Sequence, residues 1–134
     1  MVEKELQEKI LAYRLFEVRL DGLINQRNLV LNKLTEIDET FKTIEEITKQ
    51  PTEILFPIGG EAHAYGKIVD QKKFIVEIGA GVALEKTVDE AKEFLSKRQR
   101  ELEKVLNELQ NEILIVSGNM EKLRPEIESL AKQR

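Results

Sequence analysis

The segment from Glu53 to Lys86 decides the fold, and it reads E-I-L-F-P-I-G-G-E-A-H-A-Y-G-K-I-V-D-Q-K-K-F-I-V-E-I-G-A-G-V-A-L-E-K. It contains five of the seven glycines of the chain. Short apolar runs alternate in it with turn residues, and these runs are Ile54–Phe56, Tyr65–Val69, Phe74–Ile78 and Val82–Leu84. This alternation is typical of strands joined by hairpins, so the segment predicts four short strands.

Three turn sites separate these predicted strands. Gly59-Gly60 can adopt the positive φ angles of a tight hairpin turn, and Gly79-Ala80-Gly81 separates the third and fourth strands. Asp70-Gln71 suggests another tight turn between the second and third strands. Two hairpins alone bury too little surface to be stable in water, so we expect these strands to need another subunit.

The segment before the strands predicts one long helix that ends near Thr48–Gln50, because Pro51 disfavours helical geometry in the residue before it. Its apolar residues follow a heptad pattern, which places them on one stripe that faces a partner helix. The two series of this seam are Leu6, Tyr13, Leu20, Arg27, Leu34, Phe41 and Phe16, Leu23, Val30, Ile37, Ile44.

The segment after the strands predicts a second long helix. Thr87-Val88-Asp89-Glu90 has the sequence of a capping box, in which the threonine and glutamate side chains satisfy each other's backbone amides. A regular apolar seam follows at Val88, Leu95, Leu102, Leu109, Val116, Leu123 and Leu130. Two arms of matched length predict an antiparallel coiled coil. The chain would then be one α+β domain of residues 1–134, with arms 1–50 and 87–134 around a hairpin module at 51–86.

Arg27 is the one charged residue within the seam series of the first arm. Its aliphatic stem can lie over the seam while the guanidinium reaches water, and this is the interpretation we favour. The alternative is a buried polar residue that fixes the register of the two helices.

The composition excludes several classes of protein. The net charge is −4 and both signs are interspersed, so there is no basic surface for nucleic acid. The longest uncharged run is Ile113–Met120, far shorter than the roughly 18 residues that span a membrane. There is no cysteine, and the charged start of the chain is unlike a signal peptide. We therefore expect a soluble cytoplasmic protein.

No catalytic or cofactor-binding motif stands out. G-A-G-V-A-L-E-K-T superficially resembles a phosphate-binding loop, but Ala80 and Glu85 stand where that pattern needs glycine. His63 is the only histidine, and no cysteine or acidic cluster accompanies it as metal ligands would. There is also no nucleophile–base pair. We expect neither an enzyme nor a bound cofactor.

The outward face of the first arm is apolar where a solvated face should be polar. Opposite the seam, residues seven apart read Leu11, Val18, Asn25, Asn32, Glu39, Glu46, and a flanking series reads Glu8, Leu15, Gly22, Leu29, Glu36, Thr43. Both series are apolar toward the start of the arm and polar toward the strands. Exposed apolar patches of this kind indicate a binding surface, unless another helix covers the face.

Two stretches of the hairpin module resemble a known family. F-P-I-G-G-E-A-H-A-Y-G-K-I at Phe56–Ile68 and V-E-I-G-A-G-V-A-L-E-K-T at Val76–Thr87, flanked by the two arms, are similar to the archaeal prefoldin alpha subunits. The resemblance implies a hexamer of two alpha and four beta subunits, whose hairpins join in intersubunit β-barrels. It also implies ATP-independent capture of unfolded proteins at the coiled-coil tips and their delivery to a group II chaperonin.

This resemblance, together with the apolar tip and the incomplete sheets, predicts two sets of site residues. The client-binding set is Leu6, Ile10, Leu11, Leu15, Val18, Ile127 and Leu130. The oligomer-interface set is Ile54, Phe56, Ile58, Tyr65, Ile68, Phe74, Val76, Ile78, Val82 and Leu84. Two alternatives remain open: a filament-forming or spacer subunit, and an adaptor that binds one specific helix.

Overall fold

The computed structural model describes residues 1–50 and 53–134, and within them the fold is α+β as predicted. Two long helices flank four strands. The elements are α1 (Val2–Lys49), β1 (Glu53–Gly59), β2 (Ala62–Lys67), β3 (Lys73–Gly79), β4 (Val82–Thr87) and α2 (Val88–Gln133). The end of α1 at Lys49 agrees with the prediction. Pro51, on which that prediction rested, lies outside the described residues.

The chain divides into two compact units, and the first combines residues 1–33 with residues 102–134. In this unit α1 and α2 are antiparallel, because Lys9 pairs with Glu126 and Arg19 with Glu112, each at 2.9 Å. In the core, Leu23, Leu109, Val116 and Met120 are buried, with Tyr13, Phe16, Leu20, Val30 and Ile113 packed against them. All of these except Met120 and Ile113 belong to the seam series named above. Exposed ion pairs contribute little to stability, so the apolar seam holds these helices together.

The second unit comprises residues 34–101 and contains the hairpins and the adjoining parts of both helices. Here too the helices are antiparallel. The side-chain amide of Gln99 donates to the Asp38 carboxylate at 3.1 Å, and Lys92 lies 4.0 Å from Glu45. Ile37, Ile44 and Ala91 are buried. The heptad seam therefore persists in this part of α1.

The four strands form two separate antiparallel hairpins, β1–β2 and β3–β4. Gly60 and Glu61 have φ angles of 55° and 65°, and Ala80 and Gly81 have 51° and 75°. Positive φ at both central residues is the mark of a type I′ turn, whose twist matches that of the flanking strands. Each hairpin also has one register shift just before its turn. We name β1–β2 hairpin 1 and β3–β4 hairpin 2.

The two hairpins repeat each other at a spacing of twenty residues. Gly59 pairs with Ala62 in hairpin 1, and Gly79 pairs with Val82 in hairpin 2. The register shifts fall at the same positions, between Pro57 and Gly59 and between Glu77 and Gly79. Equivalent residues of the two hairpins can therefore be compared directly.

The prediction of a tight strand-joining turn at Asp70-Gln71 is wrong. β2 and β3 do not pair, and the residues between them link the two sheets. The side-chain amide of Gln71 donates to the backbone carbonyl of Ile47 at 3.0 Å, and the Asp70 carboxylate accepts from the amide of Lys72 at 2.8 Å. Gln71 thereby satisfies one of the carbonyls that the last turn of a helix leaves without an intrahelical partner.

The capping box at the start of α2 is confirmed. The backbone amide of Thr87 donates to Glu90 Oε1 at 3.1 Å, and the backbone amide of Glu90 donates to Thr87 Oγ1 at 3.3 Å. Hydrogen bonds that the Glu90 carboxylate accepts, first from the Thr87 backbone and then from the Thr87 side chain, lower the pKa of Glu90 from its ordinary value. Ionisation of the Glu90 carboxyl and formation of the cap at the start of α2 therefore favour each other.

Arg27 combines features of both interpretations. Its Nη2 donates weakly to Asn28 Oδ1 at 3.5 Å, toward an exposed side chain, as expected for a stem lying over the seam. Its Nε, however, is buried with no hydrogen-bond partner. The polar part of this side chain is therefore only partly solvated.

Candidate assembly and client-binding surfaces

An apolar stripe on α1 is open to solvent. Leu11, Leu15 and Val18 are 59%, 63% and 71% exposed. Spacings of three and four residues place all three on one side of the helix, away from the seam. We name these three residues the α1 stripe. They are the members of the predicted client-binding set that offer open apolar surface.

The other predicted client-binding residues are less accessible. Leu6 is only 1% exposed, while Ile10, Ile127 and Leu130 are half-buried. α2 remains helical to Gln133, and Arg134 pairs with Glu3 at 3.4 Å. Because the seam stays closed, Leu6 has almost no surface to offer to another molecule.

Ile10 and Ile127 meet in a groove between the two helices of the first unit. This groove has a volume of about 400 Å³ and is lined by Ile10, Tyr13, Arg14, Glu17, Arg124, Ile127 and Glu128. Arg124 Nη2 donates to the Tyr13 hydroxyl at 3.1 Å and bridges α1 and α2 there. This hydrogen bond raises the pKa of Arg124, which favours its charged form. The structure therefore brings together two predicted residues from opposite ends of the chain.

Further apolar side chains are exposed in the first unit but were not among the predicted site residues. Among them are Leu29 on α1 and Leu114 and Ile115 on α2. The available signal was their position off the heptad seam, which is the same signal that identified the α1 stripe. Single exposed leucines are common on soluble proteins, so their position alone assigns them no role.

The predicted oligomer-interface residues lie on both hairpins, except for Ile68, which follows the end of β2. Phe56, Ile58, Tyr65, Ile78, Val82 and Leu84 are exposed, and Ile54, Ile68, Phe74 and Val76 are half-buried. Leu55, Val69 and Ile75 are also exposed, although the oligomer-interface set named above does not include them. Each two-stranded sheet therefore leaves much of its apolar surface in water, and additional packing would be needed to bury it.

Other kinds of site find no support in the part of the chain that the structure describes. There, no three His, Cys, Asp or Glu side chains come together in a group able to bind a metal ion. Neither of the described helices has a stretch long and apolar enough for a membrane span.

The helices and the two two-stranded sheets both carry apolar side chains that are exposed to solvent. Such a chain is typical of an assembly subunit that works by contacting other proteins. A sequence model of the family described as prefoldin subunit matches residues 16–133. The chain therefore belongs to the prefoldin subunit family, whose members are non-enzymatic chaperone components. This confirms the expectation that it is not an enzyme.

Comparisons with individual proteins agree with this family. The chain is 29% identical over 133 residues to prefoldin subunit alpha of Methanosarcina barkeri, covering 96% of this chain and 92% of that one. Its fold is similar to a chain of filamentous prefoldin from Methanocaldococcus jannaschii (TM-score 0.73, 19% identity, 86% and 97% of the two chains covered). It is also similar to the prefoldin beta subunit from Thermococcus strain KS-1 (TM-score 0.61, 19% identity, 93% and 90% covered). The predicted resemblance to archaeal prefoldin alpha subunits is thus confirmed.

Proposed function

We propose that this chain is the alpha-type subunit of a cytoplasmic prefoldin hexamer, containing two alpha and four beta subunits. The hairpins join the subunits, and the α1 stripe binds unfolded proteins without ATP before they pass to a group II chaperonin. The similarity to an alpha subunit and to the fold of a beta subunit supports the choice of partners.

The observation that carries client binding is the exposure of Leu11, Leu15 and Val18 beside a closed seam. Unfolded proteins present apolar side chains, and burying apolar surface contributes about 25 cal/mol per Å². One stripe offers little area, so each contact is weak and dissociates readily. Several stripes in one assembly raise the effective concentration of binding sites, which gives useful affinity without a deep pocket.

The test replaces Leu11, Leu15 and Val18 together by serine. The control variant carries serine at Glu8, Asn25 and Asn32, which belong to the same two outward series and are also exposed. Each variant is assembled with beta subunit, its mass is determined by light scattering, and a denatured client is diluted into it. We expect the triple stripe variant to assemble normally but to suppress client aggregation several-fold less than the control.

Full protection by a properly assembled stripe variant would reject this surface as the client site. Delivery is tested by adding a group II chaperonin to the loaded complex, where the client should move to the chaperonin without ATP. The mass measurement also separates a closed hexamer from the filament alternative, because a filament gives a mass that grows with concentration. Open-ended growth would contradict the proposed hexamer.

A further inference from the structure

The groove in which Ile10 and Ile127 meet has a floor and a rim of different chemistry. Its half-buried floor is formed by Ile10, Tyr13 and Ile127. Its exposed rim is formed by Arg14, Glu17, Arg124 and Glu128. Both helices therefore contribute to the floor and to the rim. We name these seven residues the Tyr13 groove.

The Tyr13 groove has room for one bulky uncharged side chain. Its volume of about 400 Å³ falls within the roughly 300–1,000 Å³ of pockets that bind small molecules. The apolar floor favours an apolar occupant, because binding then removes apolar surface from water. The rim has two acids and two bases, so its charges favour neither a cationic nor an anionic occupant.

The two arginines of the rim differ in how they are held. Arg124 Nη2 donates to the Tyr13 hydroxyl at 3.1 Å, so this guanidinium is anchored across the two helices. Arg14 has no hydrogen bond or ion pair with another residue in the part of the chain that the structure describes. A planar guanidinium stacks readily on an aromatic face. One arginine is thus fixed beside the floor, and the other can close over an occupant.

A second groove of the first unit has nearly the same volume but different chemistry. It measures about 430 Å³ and is lined by Glu5, Lys9, Pro125, Glu126, Ser129 and Leu130. Of these described residues Lys9 alone is basic, and it pairs with Glu126 at 2.9 Å. We name it the Lys9 groove. It offers a similar space, but its cation is already paired and it has no arginine.

We propose that the Tyr13 groove binds one aromatic side chain of an unfolded protein, with the ring against the guanidinium groups of Arg14 and Arg124. The inference rests on the proposed client binding and specifies which client side chains this chain prefers. A cation over the face of a ring is attracted by the π electrons. An aliphatic side chain can also cover the floor, but it gains nothing from the two cations.

The groove adjoins the α1 stripe, so one client can occupy both. Ile10 and Leu11 are consecutive, and Arg14 follows Leu11 by three residues and precedes Val18 by four. Side chains at spacings of three and four are neighbours on a helix. An extended client can therefore place a ring in the groove and aliphatic residues on the stripe. The stripe then contributes apolar area, and the groove contributes selectivity for rings.

The first test titrates peptides into the complex with beta subunit, in which only the isoleucine methyl groups of this chain carry an isotopic label for NMR. Ile10 and Ile127 report on the groove, and the exposed Ile115 serves as a reference. The probe is an unstructured glycine–serine peptide with one central phenylalanine. Its matched partner carries cyclohexylalanine, which is similar in size but has no π electrons. We expect the phenylalanine peptide to shift the Ile10 and Ile127 signals and to bind at least about threefold tighter than its partner.

Matched substitutions then assign this preference to the rim. Arg14→Met combined with Arg124→Met removes both cations, so the two peptides should bind equally. Lys9→Met removes the cation of the Lys9 groove, and the preference should remain. Tyr13→Phe retains the ring of the floor but releases Arg124, so the preference should fall only in part. Circular dichroism and light scattering establish that each variant is folded and assembled.

Equal affinity of the two peptides for the wild-type complex, or signal shifts at Ile115 without shifts at Ile10 and Ile127, would overturn the proposal. So would a loss of preference in Lys9→Met as complete as in the double arginine variant. Tighter binding of a matched lysine or glutamate peptide would identify a charged occupant and overturn it as well. Clients that are protected from aggregation without any preference for phenylalanine would reject the groove alone and leave the proposed function standing.

Discussion

The ring of Phe56 lies against Gly66 on the neighbouring strand, where a Cβ would come within 2.8 Å of the ring atom Cε1 and 3.1 Å of Cδ1. Phe56 pairs with Ala64 and Ile54 pairs with Gly66, so the ring reaches diagonally across the hairpin. Glycine thus leaves room for an aromatic ring to cover the strand backbone. The arrangement fixes the shape of the apolar surface on this face of hairpin 1.

Replacing Gly66 by alanine should destabilise hairpin 1, because the new methyl group forces the Phe56 ring to move. Overpacking of this kind costs about 1 kcal/mol or more. A double-mutant cycle with Phe56→Leu, measured by chemical denaturation of the assembled protein, checks the cause. The cost of Gly66→Ala should shrink when the ring is absent, and an unchanged cost would show that the ring does not limit this position. Gly22→Ala is the control, since nothing lies within 4 Å of its would-be Cβ.

Removing the cap of α2 with Thr87→Ala should lower stability by about 1 kcal/mol, because the Glu90 amide loses its side-chain acceptor. Thermal melts of wild type and variant measure the difference. Helical content at low temperature should be unchanged, which separates a lost cap from global misfolding. Equal melting temperatures would mean that this hydrogen bond does not contribute in solution.

The same cap predicts a pH dependence. Hydrogen bonds from Thr87 hold the pKa of Glu90 below its ordinary value of 4.5, so the folded state favours the charged carboxylate. The resulting stabilisation is present above pH 4.5 and is lost as the pH falls through the folded-state pKa. Wild type should therefore exceed Glu90→Gln in melting temperature at pH 7, and the gap should narrow at pH 3. A gap that is independent of pH would contradict this.

Gln71→Ala should destabilise the second unit by about 1 kcal/mol, because the Ile47 carbonyl loses a hydrogen bond at the end of α1. Lys72→Ala is the matched control, since its side chain is exposed and only its backbone amide bonds to Asp70. Hydrogen exchange near residues 47–50 provides a local readout. Faster exchange in both variants alike would show that the loop, and not the Gln71 side chain, protects this region.

The sequence was most informative where a periodic pattern runs through many residues. The heptad spacing of Leu23, Leu109 and Val116 placed them in the seam, and all three are buried. The capping box and the two glycine-rich turns were also readable, because their geometry depends on neighbours in sequence. Asp70-Gln71 shows the limit of such local rules. The partner of Gln71 is the carbonyl of Ile47, which no turn preference reveals.

For the candidate sites too, the sequence predicted what depends on neighbouring residues and not what depends on contacts between distant parts of the chain. Periodicity identified Leu11, Leu15 and Val18 as outward-facing, and they are exposed. It could not show whether the seam opens at its ends, because that depends on contacts between opposite ends of the chain. Leu6 is buried for this reason. Likewise, the pairing of Leu55 with Tyr65 follows from strand register, which the apolar runs alone did not determine.

Site-directed cross-linking tests the central claim that the α1 stripe contacts unfolded proteins. The chain has no cysteine, so Val18→Cys can carry a single photoreactive benzophenone. Glu46→Cys is the matched control, because Glu46 belongs to the same outward series and is exposed. Both are assembled with beta subunit and illuminated with a client in its denatured and native forms. The account predicts adducts between position 18 and the denatured client alone, with few at position 46. Equal labelling at both positions, or no labelling at position 18 while aggregation is still suppressed, would contradict it.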